Sequence, residues 1–240
     1  MSRNSIKLHT PAGKRWLEKA TAEAAAPKLA APKPAAPKPA ALPAKAAGKP
    51  APVGTGEIRI IGGQWRRTRL PVAQRPGLRP TPDRVRETLF NWLGQDLAGW
   101  RCLDAFAGTG ALGFEAASRG AASVLMNEQD AALVQQLQRL RERLDAQTVR
   151  VLRGDALGCL RQVAPATLDL VFLDPPFDLL EAFAPALLAA AQAVVPGGYV
   201  YLEAPQSWDE ARLAEAGELQ LHRHLKAGAV HAHLLRKPQP

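Results

Sequence analysis

Two stretches of the chain hold residues whose types and spacing suit chemistry. In RCLDAFAGTGALG (residues 101–113), an apolar run carrying one acid, Asp104, meets the small-residue turn Ala107-Gly108-Thr109-Gly110, and a helical pattern starts at Ala111. A strand that ends in a glycine turn and opens a helix lets bare backbone approach a ligand, with helix N–H groups beside it. That is the layout of a nucleotide-type cofactor site at the carboxyl end of a parallel strand. Gly108, Gly110 and Gly113 can be read as G-x-G-x-x-G, a pattern that carries little weight by itself. Glu128 ends the next apolar run and lies 20 residues past Gly108, where a ribose-binding acid belongs. The second stretch is the apolar run Leu168 to Leu173, which leads straight into Asp174-Pro175-Pro176-Phe177.

Prolines often do no more than end a strand. Coming after a glycine turn and a ribose acid, this corner reads instead as part of a site. Dehydrogenases have no use for it, whereas enzymes that methylate exocyclic amino groups from S-adenosylmethionine do. An exocyclic amine on a base is a poor nucleophile because its lone pair is delocalised into the ring. Two fixed acceptors would draw the nitrogen toward tetrahedral geometry and aim its lone pair. The Asp174 carboxylate is one, and the Pro175 carbonyl, held by the rigid Pro175-Pro176 backbone, is the other. Phe177 would stack on the base once flipped out. On the cofactor side, Asp104 attracts an ammonium, and the backbone at Gly108 and Gly110 approaches the methionine part and the ribose. Glu128 takes both ribose hydroxyls, Asp155 accepts from the adenine amino group, and Phe106 lines the pocket. Helix capping by Asp155 and a core role for Phe106 are the structural alternatives. No metal-ligand set is expected.

The elements that must position these groups alternate regularly. Strands are expected at residues 101–106, 123–127, 149–152, 168–173 and 199–203, with helices at 111–119, 131–144, 157–163 and 179–194 between them. This alternation means an α/β fold with a parallel sheet, its strands' carboxyl ends on one edge. Residues 218–225 and 230–236 flank Lys226-Ala227-Gly228 as an antiparallel hairpin. Five parallel strands and a terminal hairpin are the pattern of the seven-stranded Rossmann-like class I methyltransferases.

Charge divides the chain. Of the net +9, residues 1–53 carry +8, residues 54–100 carry +4 and residues 101–240 carry −3. Residues 1–53 include 16 Ala and 9 Pro, too little large apolar surface for a core, so a disordered basic tail is expected, with a short turn at Lys14-Arg15-Trp16-Leu17. Residues 54–100 form an Arg-rich extension, with order beginning near Gly56. Residues 57–70 read as a β-hairpin turning at Gly62-Gly63, and 83–93 as a helix with Thr81 as its N-cap. Arg59, Arg66, Arg67 and Arg69 on the hairpin, with Arg79, Arg84 and Arg86 at the helix, are candidate RNA contacts. Trp65 packs the hairpin onto its domain or stacks on a base. The remainder, 101–240, is the catalytic domain. Cys102 and Cys159 have neither metal nor disulfide spacing, so a reducing compartment is expected. No apolar run reaches the roughly 18 residues of a membrane span, and MSRNSIKLHT lacks the apolar core of a secretory signal. A cytoplasmic monomer without membrane or metal is expected.

The wording IRIIGGQWRRTRLPV, GLRPTPDRVRETLFNWL, LDAFAGTGALGFEA and VFLDPPF resembles the bacterial 16S ribosomal RNA guanine-N2 methyltransferases over about residues 56–205. The Asp-Pro-Pro-Phe corner is shared with adenine-N6 DNA methyltransferases, but the Arg-rich hairpin and the following helix are not. The resemblance implies transfer of one methyl group from S-adenosylmethionine to the N2 amine of a single guanine in 16S rRNA. It also implies an assembling 30S subunit as substrate. An adenine-N6 DNA methyltransferase, or a nucleic-acid-binding protein with an inactive methyltransferase fold, is the alternative.

Overall fold

The computed structural model describes residues 56–72, 81–177 and 179–239. The expectations for the basic tail, for the Lys14-Arg15-Trp16-Leu17 turn and for Arg79 fall outside them.

Two short strands, β1 (Glu57–Arg59) and β2 (Arg69–Pro71), pair antiparallel and precede helix α1 (Asp83–Trp92). Then follow β3 (Arg101–Asp104), α2 (Ala111–Ser118), β4 (Ser123–Glu128), α3 (Ala131–Arg143), β5 (Val149–Arg153), α4 (Ala156–Gln162) and β6 (Leu168–Leu173). A 3-10 turn (Leu180–Ala182) leads into α5 (Phe183–Ala193), β7 (Val194–Ala204), α6 (Glu210–Glu215), β8 (Gln220–Ala227) and β9 (Val230–Arg236). The sheet has seven strands in the order β5-β4-β3-β6-β7-β9-β8. The first five in this order are parallel; β9 runs antiparallel to both β7 and β8. The expected α/β architecture with a terminal hairpin is therefore present.

Strands covered on both faces read as nearly unbroken apolar runs. Along β6, Leu170 and Phe172 face one core while Val171 and Leu173 face the other, all four buried. The first core is closed by Val85, Leu89 and Phe90 of α1, by Phe114 and by Leu137. The hairpin residues Ile58, Ile60 and Leu70 belong to it as well. Burying a side chain such as Leu89 or Phe90 stabilises by about 1.5–3 kcal/mol. The Arg-rich extension therefore shares its core with the sheet, and Trp65 packs partly buried against it.

The local departures from expectation have physical causes. The hairpin is regular for only three residues on each side, because Gly63 and Arg67 both take positive φ and turn residues 62–67 into a compact loop. Thr81 does not cap α1. Pro82 occupies the N-cap position and no side chain caps the helix. Gly197-Gly198 lies inside an eleven-residue β7 instead of before it. Helix α6, a single six-residue element with Leu213 buried, is too short to stand out by periodicity.

The loop after β1 is pinned to α2 by Ser118 and by one carboxylate. Glu115, fully buried on α2, accepts from Ile61 N–H at 2.8 Å and from Gly62 N–H at 2.7 Å. It also pairs with Arg119 at 2.8 Å and with Arg86 at 3.4 Å. Gly63 sits so close to α2 that an added Cβ would lie 1.8 Å from the Ser118 carbonyl oxygen.

Candidate active site

Because β3 to β7 are parallel, their carboxyl ends bring Asp104, Glu128, Asp155, Asp174 and Glu203 to one edge of the sheet. Asp104 is buried, and its Oδ2 accepts from Gly113 N–H at 2.9 Å, tying strand to helix across the glycine turn. Its Oδ1 has no partner of good hydrogen-bond geometry among the described residues, the Phe106 N–H being the backbone donor that lies near the carboxylate. A buried acceptor left unpaired is costly, and its natural complement is a donor carrying positive charge. Burial pushes this carboxyl from 3.8 up to about 7, against the Gly113 hydrogen bond, with Glu128 adding to the rise. An acid raised in this way costs nothing below its unfolded-state value and its full penalty above its folded-state value. Stability is therefore lost between about pH 4 and pH 7, by on the order of 4 kcal/mol. Asp104→Asn removes the ionisation and keeps an acceptor for Gly113. Its melting temperature should fall less than the wild type's over that interval and should exceed the wild type's at pH 8. A wild-type stability curve that is flat from pH 4 to 8 would contradict the assignment.

Gly110 opens α2 with φ +82°, where an added Cβ would lie 2.6 Å from Leu137 and 2.7 Å from Phe114. The position needs glycine for both conformation and space. Gly108 N–H donates to Glu128 Oε2 at 2.9 Å, and Glu128 Oε1 accepts from Asp130 N–H at 2.9 Å. Each oxygen keeps a second lone pair for an incoming hydroxyl. Asn127, missed in the sequence, donates to the carbonyls of Ala105 at 3.2 Å and Gly154 at 3.1 Å and so links the ends of three strands. Asp155 Oδ2 caps α4 through Gly158 N–H at 2.6 Å, so the capping role weighed against adenine binding is realised. Oδ1 of this exposed side chain is not used in the cap. Phe106 is half-buried against the second core.

Asp174 follows β6 directly and is half-buried, and its Oδ2 accepts from the Thr81 hydroxyl at 3.2 Å. Thr81, assigned to capping by the sequence, thus serves the acid of the Asp-Pro-Pro-Phe corner instead. Burial pushes the Asp174 carboxyl well above its ordinary value, and the neighbouring Glu203 and Asp104 charges push the same way. Pro175 is buried and Pro176 exposed, with the Pro176 carbonyl taken by Leu179 N–H at 3.0 Å. Phe177 is half-buried, packed in part on the second core. Glu203, also missed, is buried at the end of β7 and accepts from the Tyr201 hydroxyl at 2.8 Å. The signal available was its place as the only acid in the apolar run YVYLEA (residues 199–204).

Of the candidate RNA contacts, Arg59, Arg66, Arg67, Arg69 and Arg84 are exposed. Arg69 pairs with Glu57 at 2.9 Å and Arg59 approaches Asp83 at 3.8 Å. Arg86 is a correction. Its side chain is fully buried, held by Asp83 at 2.6 Å, the Thr81 carbonyl at 3.2 Å and Glu115. On α1 it shares the inward face with Val85 and Leu89, so it cannot meet a phosphate.

Away from this edge, ring nitrogens of His224, His231 and His233 lie within 4.8 Å of one another, a grouping across two strands that linear spacing did not reveal. Both His233 nitrogens are engaged, one accepting from Trp208 N–H at 3.1 Å and the other 3.3 Å from the Leu202 carbonyl.

An open seven-stranded sheet of this order, with a glycine turn and acids at successive strand ends, defines the class I methyltransferase fold. A solved Escherichia coli structure described as the methyltransferase yhhF superposes with a TM-score of 0.64 at 40% identity, covering 77% of this chain and 100% of that one. The family model described as conserved hypothetical protein 95 matches residues 58–236. Ribosomal RNA small subunit methyltransferase D of Haemophilus influenzae is 41% identical over 169 residues, 65% of this chain and 88% of that protein. The Escherichia coli K12 protein of the same name is 53% identical over 129 residues, 54% of this chain. The match spans 65% of that relative's length. The chain belongs to this family, that of the ribosomal RNA small subunit methyltransferase D proteins. Among the described residues, no helix is long and apolar enough to cross a membrane.

Proposed function

We propose that this protein transfers a methyl group from S-adenosylmethionine to the exocyclic N2 amine of one guanine in 16S rRNA. Its substrate would be an assembling 30S subunit in the cytoplasm, and the protein would act as a monomer without a metal. The observation that carries the reading is the meeting at one sheet edge of Asp174 with the unpaired Asp104 Oδ1 and the Gly108–Gly110 turn. The relatives' names supply the RNA; guanine N2 rests on the likeness of the motifs.

The residues fit the cofactor by their donor set. Asp104 Oδ1 suits an ammonium, the second lone pairs of Glu128 suit ribose hydroxyls, and Asp155 Oδ1 suits an adenine amino group. The bound cofactor supplies an electrophilic methyl on a cationic sulfur. The protein holds the amine. Asp174 as carboxylate and the Pro175 carbonyl take one N–H each, which localises the nitrogen lone pair and points it away from both acceptors. Pro176 stiffens the corner, and Phe177 stacks on the base. Asp174 accepts the proton the amine releases. Arg59, Arg66, Arg67, Arg69 and Arg84, together with Arg79, grip RNA phosphates and fix register without reading bases.

The test uses full-length protein, labelled S-adenosylmethionine and 30S subunits from cells lacking the enzyme, beside naked 16S RNA and duplex DNA. Mass spectrometry of the nucleosides should find N2-methylguanosine, with subunits the best substrate. N6-methyladenine in DNA would overturn the reading.

A further inference from the structure

The strand register continues past the sheet into the site. Phe172 pairs with Tyr201 and Leu173 with Leu202, so the next residues, Asp174 just past β6 and Glu203 near the end of β7, lie side by side. Both follow, two residues on, the ring pair Phe172 and Tyr201, which meets edge-on at 6.3 Å on the face beneath α1. The Thr81 hydroxyl donates to Asp174 Oδ2 at 3.2 Å and lies near enough to Glu203 to act on its ionisation. The Tyr201 hydroxyl, buried and held in its protonated form, donates to Glu203 Oε1 at 2.8 Å.

A hydroxyl has one proton to give and lone pairs to receive. Between two carboxylates, Thr81 can satisfy only one of them. Between a carboxylate and a carboxylic acid it can receive from the acid and give to the carboxylate, and every group is then matched. Two acids side by side out of water do not both ionise readily, and they titrate as a pair.

We propose that Glu203 is a positioning residue for the amine site: it holds one proton jointly with Asp174 across the Thr81 hydroxyl, and its charge sets when Asp174 is free to accept an amine N–H. The inference rests on the amine-binding role of Asp174 given above. Among the described residues, the charged groups bearing on Asp174 are Glu203 and Asp104, both acidic. Arg86, the buried cation of α1, is committed to Asp83, Glu115 and the Thr81 carbonyl. Burial raises both carboxyls of the pair; the Thr81 hydroxyl favours the ionised form of whichever acid it donates to, while the Tyr201 hydrogen bond favours ionised Glu203 alone. Negative charge on Glu203 then holds the proton on Asp174 until the pH rises.

The direction of the effect follows. Glu203→Gln removes that negative charge, so Asp174 ionises at lower pH. Tyr201→Phe withdraws the donor that stabilises ionised Glu203, shifts the proton toward Glu203, and moves Asp174 the same way by less. The carboxyl 13C shifts of Asp174 and Glu203, followed against pH in the protein alone, give the first readout. In the wild type both should titrate in two shared steps. In Glu203→Gln, Asp174 should titrate in one step at least one pH unit lower. The second readout is the single-turnover methylation rate, whose acid limb should move with it, giving at least a tenfold gain at the foot of the limb. Independent one-step titrations in the wild type would overturn the proposal. So would an unmoved Asp174 step, or a rate lowered equally at every pH, which marks a structural role. Should Glu203→Gln fail to fold, Tyr201→Phe decides by the same criteria. A wild type that methylates no RNA would sink the methyltransferase reading instead, and the carboxyl titration would still decide whether the pair exists.

Discussion

Asp174→Asn should lower the single-turnover methyl-transfer rate by roughly 10²–10³-fold, the cost of removing one preorganised electrostatic partner from an active site. An asparagine amide at this position presents either a single carbonyl or a pair of N–H donors to an amine that is itself a donor. In the second orientation it repels the group it replaces. Cofactor affinity should stay within about threefold, because Asp174 follows β6 whereas the groups proposed to hold the cofactor follow β3, β4 and β5. Stability should not fall. The wild-type carboxyl is half-buried beside Glu203 and Asp104, and a neutral amide relieves that crowding of acids. The measurements are rapid-quench label transfer and cofactor titration calorimetry on the same preparation. A rate within tenfold of wild type would remove Asp174 from the amine site.

The second large effect is on folding and is expected at Glu115. Glu115→Ala takes away the more distant of the two acids on the buried Arg86 and the acid paired with the buried Arg119, and leaves Ile61 and Gly62 N–H without an acceptor. Removing one member of a buried charge cluster costs about 3–5 kcal/mol because the remaining charge stays stranded. For a domain of this size that is a fall of roughly 6–20 °C in melting temperature. Arg119 also stacks on Phe90, at 4.7 Å, so the loss reaches the contact between α1 and the sheet. RNA affinity should fall with stability, since Glu115, together with Ser118, holds the arginine-bearing loop on α2. A melting temperature within 2 °C of wild type would show that the cluster has been over-weighted.

The succession of strands and helices and the acids at strand ends were legible in the sequence because they depend on local patterns. Apolar runs of five or six residues separated by helical periods force a parallel sheet, and a parallel sheet puts its carboxyl ends together. Asp104, Glu128 and Asp174 could be found that way. Thr81 and Glu203 could not, because their significance lies in contacts 93 residues apart in one case and across a strand register in the other. Arg86 was misread for the same reason. In a helix whose arginines alternate with apolar residues, nothing local says which arginine turns inward. The buried acid that draws it in, Glu115, sits 29 residues away in a segment that reads as ordinary helix.

The anchoring of the N-terminal hairpin on α2 also has a consequence for biosynthesis. Ile61 and Gly62 leave the ribosome long before their acceptor, which is encoded 54 and 53 residues later. Contacts of that sequence separation must wait for the intervening chain to be made and closed into a loop. The basic loop thus emerges first and acquires its shape only once α2 has docked. If these arginines hold RNA as proposed, a nascent chain that stalls before Glu115 presents them without the geometry to fix a register. On the proposed role of these arginines, an ordered grip is thereby deferred until β3, the glycine turn and α2 have been made.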